Sequence, residues 1–279
     1  MEKVIITNSK RLENFKRAIS EAGVDKLHIL ADFDGTLTSL KNFHSILAIL
    51  RDGNYLTPDY PQKAYELYDK YHPIEIDLNI PLEEKKKKMV EWWTAHFNLL
   101  IDSGLNKRDL KRVTESGKIK LRKGAEEFID LLKKHNIPLV IMSSSGLGEE
   151  VISMFFKKEG KLYDNIHIVS NKYQWDKQGK AIRVEEPIIH VLNKDETAIQ
   201  NFPVFDKIKN KKNVLLLGDS LGDIGMIKGF NYDNLIKVGF LNENIEESLE
   251  IYKQNYDILI LYDSPMDYVN ELLKEIIKI

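Results

Sequence analysis

The 279-residue chain contains no cysteine. Disulfides, a thiolate nucleophile and a cysteine-ligated metal are therefore excluded, and a reducing compartment is compatible. Charge of one sign is also missing: 41 Lys and Arg stand against 43 Asp and Glu, a formal net charge of −2. A nucleic-acid polymer is not an expected partner, because such binders carry a basic excess or stripe. No apolar run approaches the roughly 18 residues of a membrane span. The opening MEKVIITNSKRLENF has no long apolar segment with a cleavage site, so no signal peptide is expected and the cytoplasm is the default location. There is no internal repeat and no low-complexity tract.

What is present is a rhythm of buried strands and helices. IPLVIM (137–142), NIHIVS (165–170), NVLLLGD (213–219), NLIKVGF (234–240) and DILILY (257–262) read as strands, and helical patterns such as 124–135 and 148–160 lie between them. Strand, helix, strand at this spacing means right-handed crossovers and a mostly parallel sheet, an α/β Rossmann-like core. From Ser39 to Ser116 the rhythm breaks into helical patterns only, with Pro58 and Pro81 near helix starts. This predicts a helical cap, 39–116, inserted after the first core strand into a core of 1–38 and 117–279. Residues 1–26 read as a preface with one amphipathic helix, and 171–186 as a hairpin turning at Gln178-Gly179.

The chemistry-bearing residues fall at strand ends, where open parallel sheets bind ligands. HILADFDGTLTSL delivers Asp32 and Asp34 directly after an apolar run. A carboxylate can attack phosphorus and hold the phosphoryl group as an acyl phosphate. A second one can protonate the departing oxygen and later deprotonate water. The plainer reading is a strand end running into a helix cap. LLLGDSLGD places Asp219 and Asp223 after another strand, and a Mg²⁺ between Asp32 and Asp219 would compensate the clustered charge. Asp223 reads either as part of that set or as the partner of a lysine. MSSSGLG (142–148) offers a hydroxyl and amides for phosphate, and Lys194 a point charge.

In that order, Asp32-Phe33-Asp34-Gly35-Thr36, Ser144, Lys194 and Gly218-Asp219 with Asp223 resemble the motifs of the haloacid dehalogenase superfamily. Asp34 points to the phosphatases in it. PLEEKKKKMVEWWTAHFNLL, SSGLGEEV, IIHVLNKDE and LLLGDSLGDIGM are similar to the pyrimidine 5′-nucleotidase family of the cytosolic 5′-nucleotidase III type. That resemblance implies Mg²⁺-dependent hydrolysis of nucleoside 5′-monophosphates, small-molecule phosphate esters, with pyrimidine bases. Asp32 would be nucleophile and Asp34 acid/base. Asp32, Asp219 and the Asp34 main-chain oxygen would hold the metal. Ser144, Ser145, Gly146 and Lys194 would bind phosphate, and Glu91 and Trp92 would face the nucleoside. The stretch SLKNFHSILAILRDGNYLTPDY does not align with that family.

Without the resemblance, Met89, Val90, Trp93, Phe97, Leu100 and Ile101 form one apolar stripe, and Glu91 and Trp92 flank it. Trp92 reads either as a base-stacking side chain or as packing between cap and core. Lys85 to Lys88 read as a solvated face, and Phe43 and His44 as residues within reach of the pocket. Three alternatives stay open: a phosphoserine or sugar phosphate phosphatase, a non-catalytic binding protein, and phosphoryl transfer to a nucleoside acceptor.

Overall fold

Leu27–Ala31 (β2) is buried at every residue. Its side chains alternate between two apolar layers, Ile29 and Ala31 in one and Leu30 in the other. Such a strand can only sit in the middle of a sheet covered on both faces. The structure, a computed structural model, describes residues 3–41, 45–77, 79–194 and 202–279; Phe43 and His44 lie outside them.

The other sheet strands are β1 (Val4–Ile6), β3 (Leu139–Met142), β4 (Ile166–Val169), β7 (Asn213–Gly218), β8 (Asn234–Leu241) and β9 (Ile258–Leu261). They run in the order β1-β9-β8-β7-β2-β3-β4. All pairs are parallel except β1 with β9. Ala31 of β2 registers with Leu217 of β7 and with Ile141 of β3. The chain leaves these three strands side by side, and this alignment places the site. The fold is the expected α/β class. Helices α1 (Ser9–Ala22), α6 (Ala125–Lys134), α7 (Gly148–Lys158), α8 (Val204–Ile208), α9 (Ile245–Asn255) and α10 (Asp267–Ile277) accompany the sheet. β5 (Tyr173–Trp175) and β6 (Ala181–Val184) form the separate hairpin.

Between β2 and α6 lie four helices: α2 (Ile46–Asp52), α3 (Tyr60–Ile76), α4 (Leu82–Asp102) and α5 (Lys107–Glu115). The chain's way in and its way out run together. Thr38 bridges Leu121, the Ser39 amide donates to the Lys120 carbonyl (3.0 Å), and the Arg122 amide to that of Leu37 (2.8 Å).

Three features depart from the sequence reading. The preface contains β1, a three-residue edge strand too short for a periodic signal. α3 continues through Pro73, and its C-terminal Glu75 carbonyl takes a hydrogen bond from buried Lys85 Nζ (2.9 Å), a lysine read as solvated. The buried face of α4 is also rotated from the expected stripe. Met89, Trp92, His96, Phe97 and Leu100 are buried, Trp93 is half-buried and Val90 is exposed.

His96 packs beside Tyr60, with its Nε2 3.1 Å from the hydroxyl, a pair that works with both partners neutral. Burial pushes the His96 pKa down to about 4 from 6.5. The unfolded chain takes up that proton first, so this residue leaves stability intact above pH 6.5 and withdraws it as pH falls toward 4, by about 3 kcal/mol in all. His96→Gln keeps a hydrogen-bonding group but cannot titrate. Its melting temperature should fall less than the parent's between pH 6.5 and 4. Parallel curves would show that His96 is not buried neutral.

Candidate active site

Asp32 follows β2 directly, its amide donating to Leu217 of β7 (3.0 Å), and only 5% of it is exposed. The chain then turns sharply through Phe33–Leu37. The Phe33 ring is wedged edge-on against Phe155 and Phe156 of α7, and Gly35 takes φ +74°. A side chain at Gly35 would run into Asp219 Oδ2. Glycine is required there both for the backbone angle and for this approach.

Lys194, 3% exposed, donates from Nζ to Asp32 Oδ1 and, at 3.0 Å, to Asp223 Oδ1. Burial opposes the lysine's charge, but Asp223 and Asp32 outweigh it and raise its pKa. Asp223 has no exposed surface, and its other oxygen accepts from the Asp219 amide (3.1 Å), the Ser220 amide (2.9 Å) and the Ser220 hydroxyl (2.9 Å). The two readings of Asp223 thus separate: its oxygens are committed to the lysine and to the turn.

Three carboxylates bring oxygens within 4.8 Å of one another: Asp32, Asp219 and Asp223. Burial, with Asp32 and Asp223 nearby, raises the Asp219 pKa well above the usual carboxylate range. Burial also pushes Asp32 up to about 6, opposed by Lys194 and reinforced by Asp223. With Asp34, four acidic groups share one lysine, and the Asp219 carboxylate accepts no hydrogen bond from the described residues. Oxygen donors with this charge deficit suit a hard divalent cation. Asp219 is held from behind, because Tyr252 and Tyr256 donate to the carbonyls of Asp219 (2.8 Å) and Ser220 (2.5 Å).

Asp34 points elsewhere. Its Oδ1 accepts from the Ile46 amide at the start of α2 (3.2 Å), and burial, then the charge of Asp32, pushes its pKa up to about 7. After β3, Ser144 is half-buried, whereas the hydroxyls of Ser143 and Ser145 accept from the amides of Ser145 and Leu147 (3.2 Å each) and shape the loop. A side chain on Gly146 would press on Leu47 of α2 (2.9 Å) and on the Trp93 ring (3.1 Å).

The two nucleoside-facing candidates lie apart from these groups. Glu91 is exposed and takes both its hydrogen bonds from Lys88 (3.0 and 2.9 Å). Trp92 is buried inside the helical segment, stacked on Tyr71. Its neighbour Trp93 is the tryptophan beside Gly146. A cleft of about 900 Å³ is lined by Lys194 and Asp219 together with His72, Lys85, Lys86 and Tyr252.

Sequence reasoning missed Arg122, Asn242, Asp263 and the two tyrosines. Arg122 is 1% exposed and donates to the carbonyls of Thr36 (2.8 Å) and Gly35. The only available signal was Tyr252 and Tyr256 at i, i+4 beside an acidic strand end, which reads equally as ordinary helix packing.

A buried aspartate at one strand end, a lysine bonded to it and a second acidic strand end on a parallel sheet have the layout of a phosphatase of the haloacid dehalogenase type. Comparison with known proteins narrows this. The family described as Pyrimidine 5′-nucleotidase (UMPH-1) matches residues 36–277. The 7-methylguanosine phosphate-specific 5′-nucleotidase of Gallus gallus is 34% identical over 98% of this chain and 96% of its own, and that of Homo sapiens is 34% identical over 98% and 92%. A crystal structure of cytosolic 5′-nucleotidase IIIB bound to cytidine superimposes with a TM-score of 0.89 at 26% identity, covering 100% of this chain and 95% of that one. The chain belongs to the pyrimidine 5′-nucleotidase (UMPH-1) family and is a phosphoric monoester hydrolase, a 5′-nucleotidase.

Gly35→Ala would strain a left-handed residue and displace Asp219. The protein should fold, lose about 1 kcal/mol or more of stability, and lose about 100-fold in kcat/KM. Unchanged kinetics in the folded variant would show that the Gly35–Asp219 approach is not needed.

Proposed function

We propose that this enzyme hydrolyses pyrimidine nucleoside 5′-monophosphates through an aspartyl-phosphate on Asp32. The observation that carries this is Lys194, bonded to Asp32 and Asp223 and lining, with Asp219, a cleft of about 900 Å³. An Asp32 carboxylate oxygen attacks phosphorus, and the bond to the nucleoside 5′ oxygen breaks. Asp34 gives that oxygen its proton. With a pKa near 7 it is partly protonated at neutral pH, as an acid in this role must be. The Asp34 carboxylate then takes a proton from the water that attacks the acyl phosphate, which releases inorganic phosphate and restores both residues. Lys194 neutralises the transferring oxygens, and Ser144 and the Gly146 amide hold them, while the Ser145 amide is spent on the Ser143 hydroxyl. Asp32, Asp219 and the Asp34 main-chain oxygen would hold Mg²⁺, which supplies the remaining charge compensation for the carboxylates and the phosphate.

Helices α2–α5 act as a cap over the nucleoside. The Ile46–Asp34 hydrogen bond ties this cap to the acid/base. Glu91 would meet the base only by leaving Lys88. Trp93, half-buried against Gly146, is placed better than Trp92 to stack on it. A second substrate, 7-methylguanosine 5′-monophosphate, is favoured by the name of the Gallus gallus relative. Its cationic base would gain about 0.5–2 kcal/mol over a tryptophan face. A cytoplasmic setting belongs to the same reading, supported by the name of the cytosolic structural relative.

Asp32→Asn should abolish phosphate release and keep the fold, and near-normal turnover would sink the mechanism. In Asp34→Asn, single-turnover phosphorylation by a nucleotide should slow about 10²–10⁴-fold. With p-nitrophenyl phosphate, whose leaving group needs no proton, it should slow much less; equal slowing would remove Asp34 as the acid. For the base, kcat/KM should be higher for CMP, UMP and 7-methylguanosine monophosphate than for AMP, GMP, phosphoserine or a sugar phosphate. A flat profile would reject recognition by the cap.

A further inference from the structure

Behind the turn that carries both catalytic aspartates lies a polar cluster of buried Arg122 with half-buried Asn242 and Asp263, none of them hydrogen-bonded to the reacting groups. Arg122 sits at its centre, its guanidinium 4.4 Å from the Phe240 ring centroid. It donates through Nε to the Thr36 carbonyl (2.8 Å), through Nη1 to the Ser264 carbonyl (2.9 Å), and through Nη2 to the Gly35 carbonyl and Asn242 Oδ1 (3.0 Å). Asn242 Nδ2 adds a second bond to the Gly35 carbonyl (3.0 Å). Nη1 also pairs with Asp263 Oδ1 (3.0 Å).

Asp263 reaches in the other direction. Its carboxylate accepts from the Ser39 hydroxyl (2.5 Å) and the Leu40 amide (3.3 Å), on the segment leading into the four helices. Arg122 itself lies on the segment leading out. Tyr262 and Asp263 both take positive φ, +61° and +49°. Two successive non-glycine residues in that region cost of order 1 kcal/mol each, and such a turn persists where its surroundings over-determine it. Here the strained turn is what points Asp263 at Arg122 and Ser39.

We propose that Arg122, with Asn242 and Asp263, is a positioning clamp for phosphoryl transfer. It fixes the Gly35–Thr36 segment, and so the distance between Asp32 and Asp219, and it fastens both linkers to the same point. Gly35 lies against Asp219 with no room for a side chain, so a shift of its carbonyl is felt directly at the acidic cluster. The guanidinium suits this task better than an ammonium, because its planar donors address several carbonyls at fixed angles. The clamp rests on the reading of Asp32 as nucleophile, and the experiment separates the two.

Arg122→Lys, Asn242→Ala and Asp32→Asn are compared with the parent in kcat, KM and melting temperature, with CMP and with p-nitrophenyl phosphate. Arg122→Lys keeps the charge and loses the fork. Its kcat should fall about 10–100-fold on both substrates while KM stays within about threefold. Asn242→Ala removes only one bond to Gly35 and one to Arg122. It should show the same split at smaller amplitude, and it decides the matter if Arg122→Lys does not fold. A merely structural role predicts a lower melting temperature with kcat per folded molecule within twofold of the parent, and that result overturns the clamp while Asp32→Asn stays inactive. An active Asp32→Asn protein overturns the site reading and the clamp with it.

Discussion

One buried ammonium group governs this site. Among the described residues Lys194 is the one cation bonded within the carboxylates of Asp32, Asp223 and Asp219, and it bonds to the first two. Burying like charges together is costly unless something positive is shared between them. The lysine is drawn inward from a loop, Asp223 is spent in holding it, and Asp32 is left partly compensated and close to Asp219. The residual negative charge suits the cluster to a divalent cation, which in the proposed reaction would offset the repulsion between these carboxylates and a phosphate. Had a second lysine filled the gap, the site would be an inert ion-pair network.

The sheet explains why these groups can meet at all. Asp32, Ser144 and Asp219 follow three strands whose registers end level, so residues far apart in the chain are brought to one end of the sheet. Everything around that end restrains a main-chain turn. Tyr252 of α9 and Tyr256 just after it hold the carbonyls of 219 and 220, Ser143 and Ser145 hold the loop after β3, and Arg122 holds 35 and 36. Reactive side chains are thereby kept short of partners while their backbones are over-restrained. Precision of this kind comes from the second layer rather than from the reacting groups.

The parallel core was legible because buried strands are continuous apolar runs with acidic or glycine punctuation, as in NVLLLGD. The four motif segments were legible because their order is far more specific than any one of them. β1 was not, since three residues carry no period. The orientation of α4 was misjudged because Trp92, Trp93 and Phe97 are all apolar, and a helix buried on more than one side has no narrow stripe to read. Arg122 was invisible for a different reason. Its partners are main-chain carbonyls and an aspartate 141 positions away, none of which marks the arginine codon by spacing or pattern.

The central claim is that Asp32 itself carries the phosphoryl group. It is tested most directly by rapid acid quenching of the enzyme during turnover of a 5′-labelled nucleotide, followed by peptide mapping of the bound label. The account predicts label on the peptide containing Asp32, chased off by unlabelled substrate at the rate of turnover. Steady phosphate release with no label on that peptide, or with label on another residue, would contradict it.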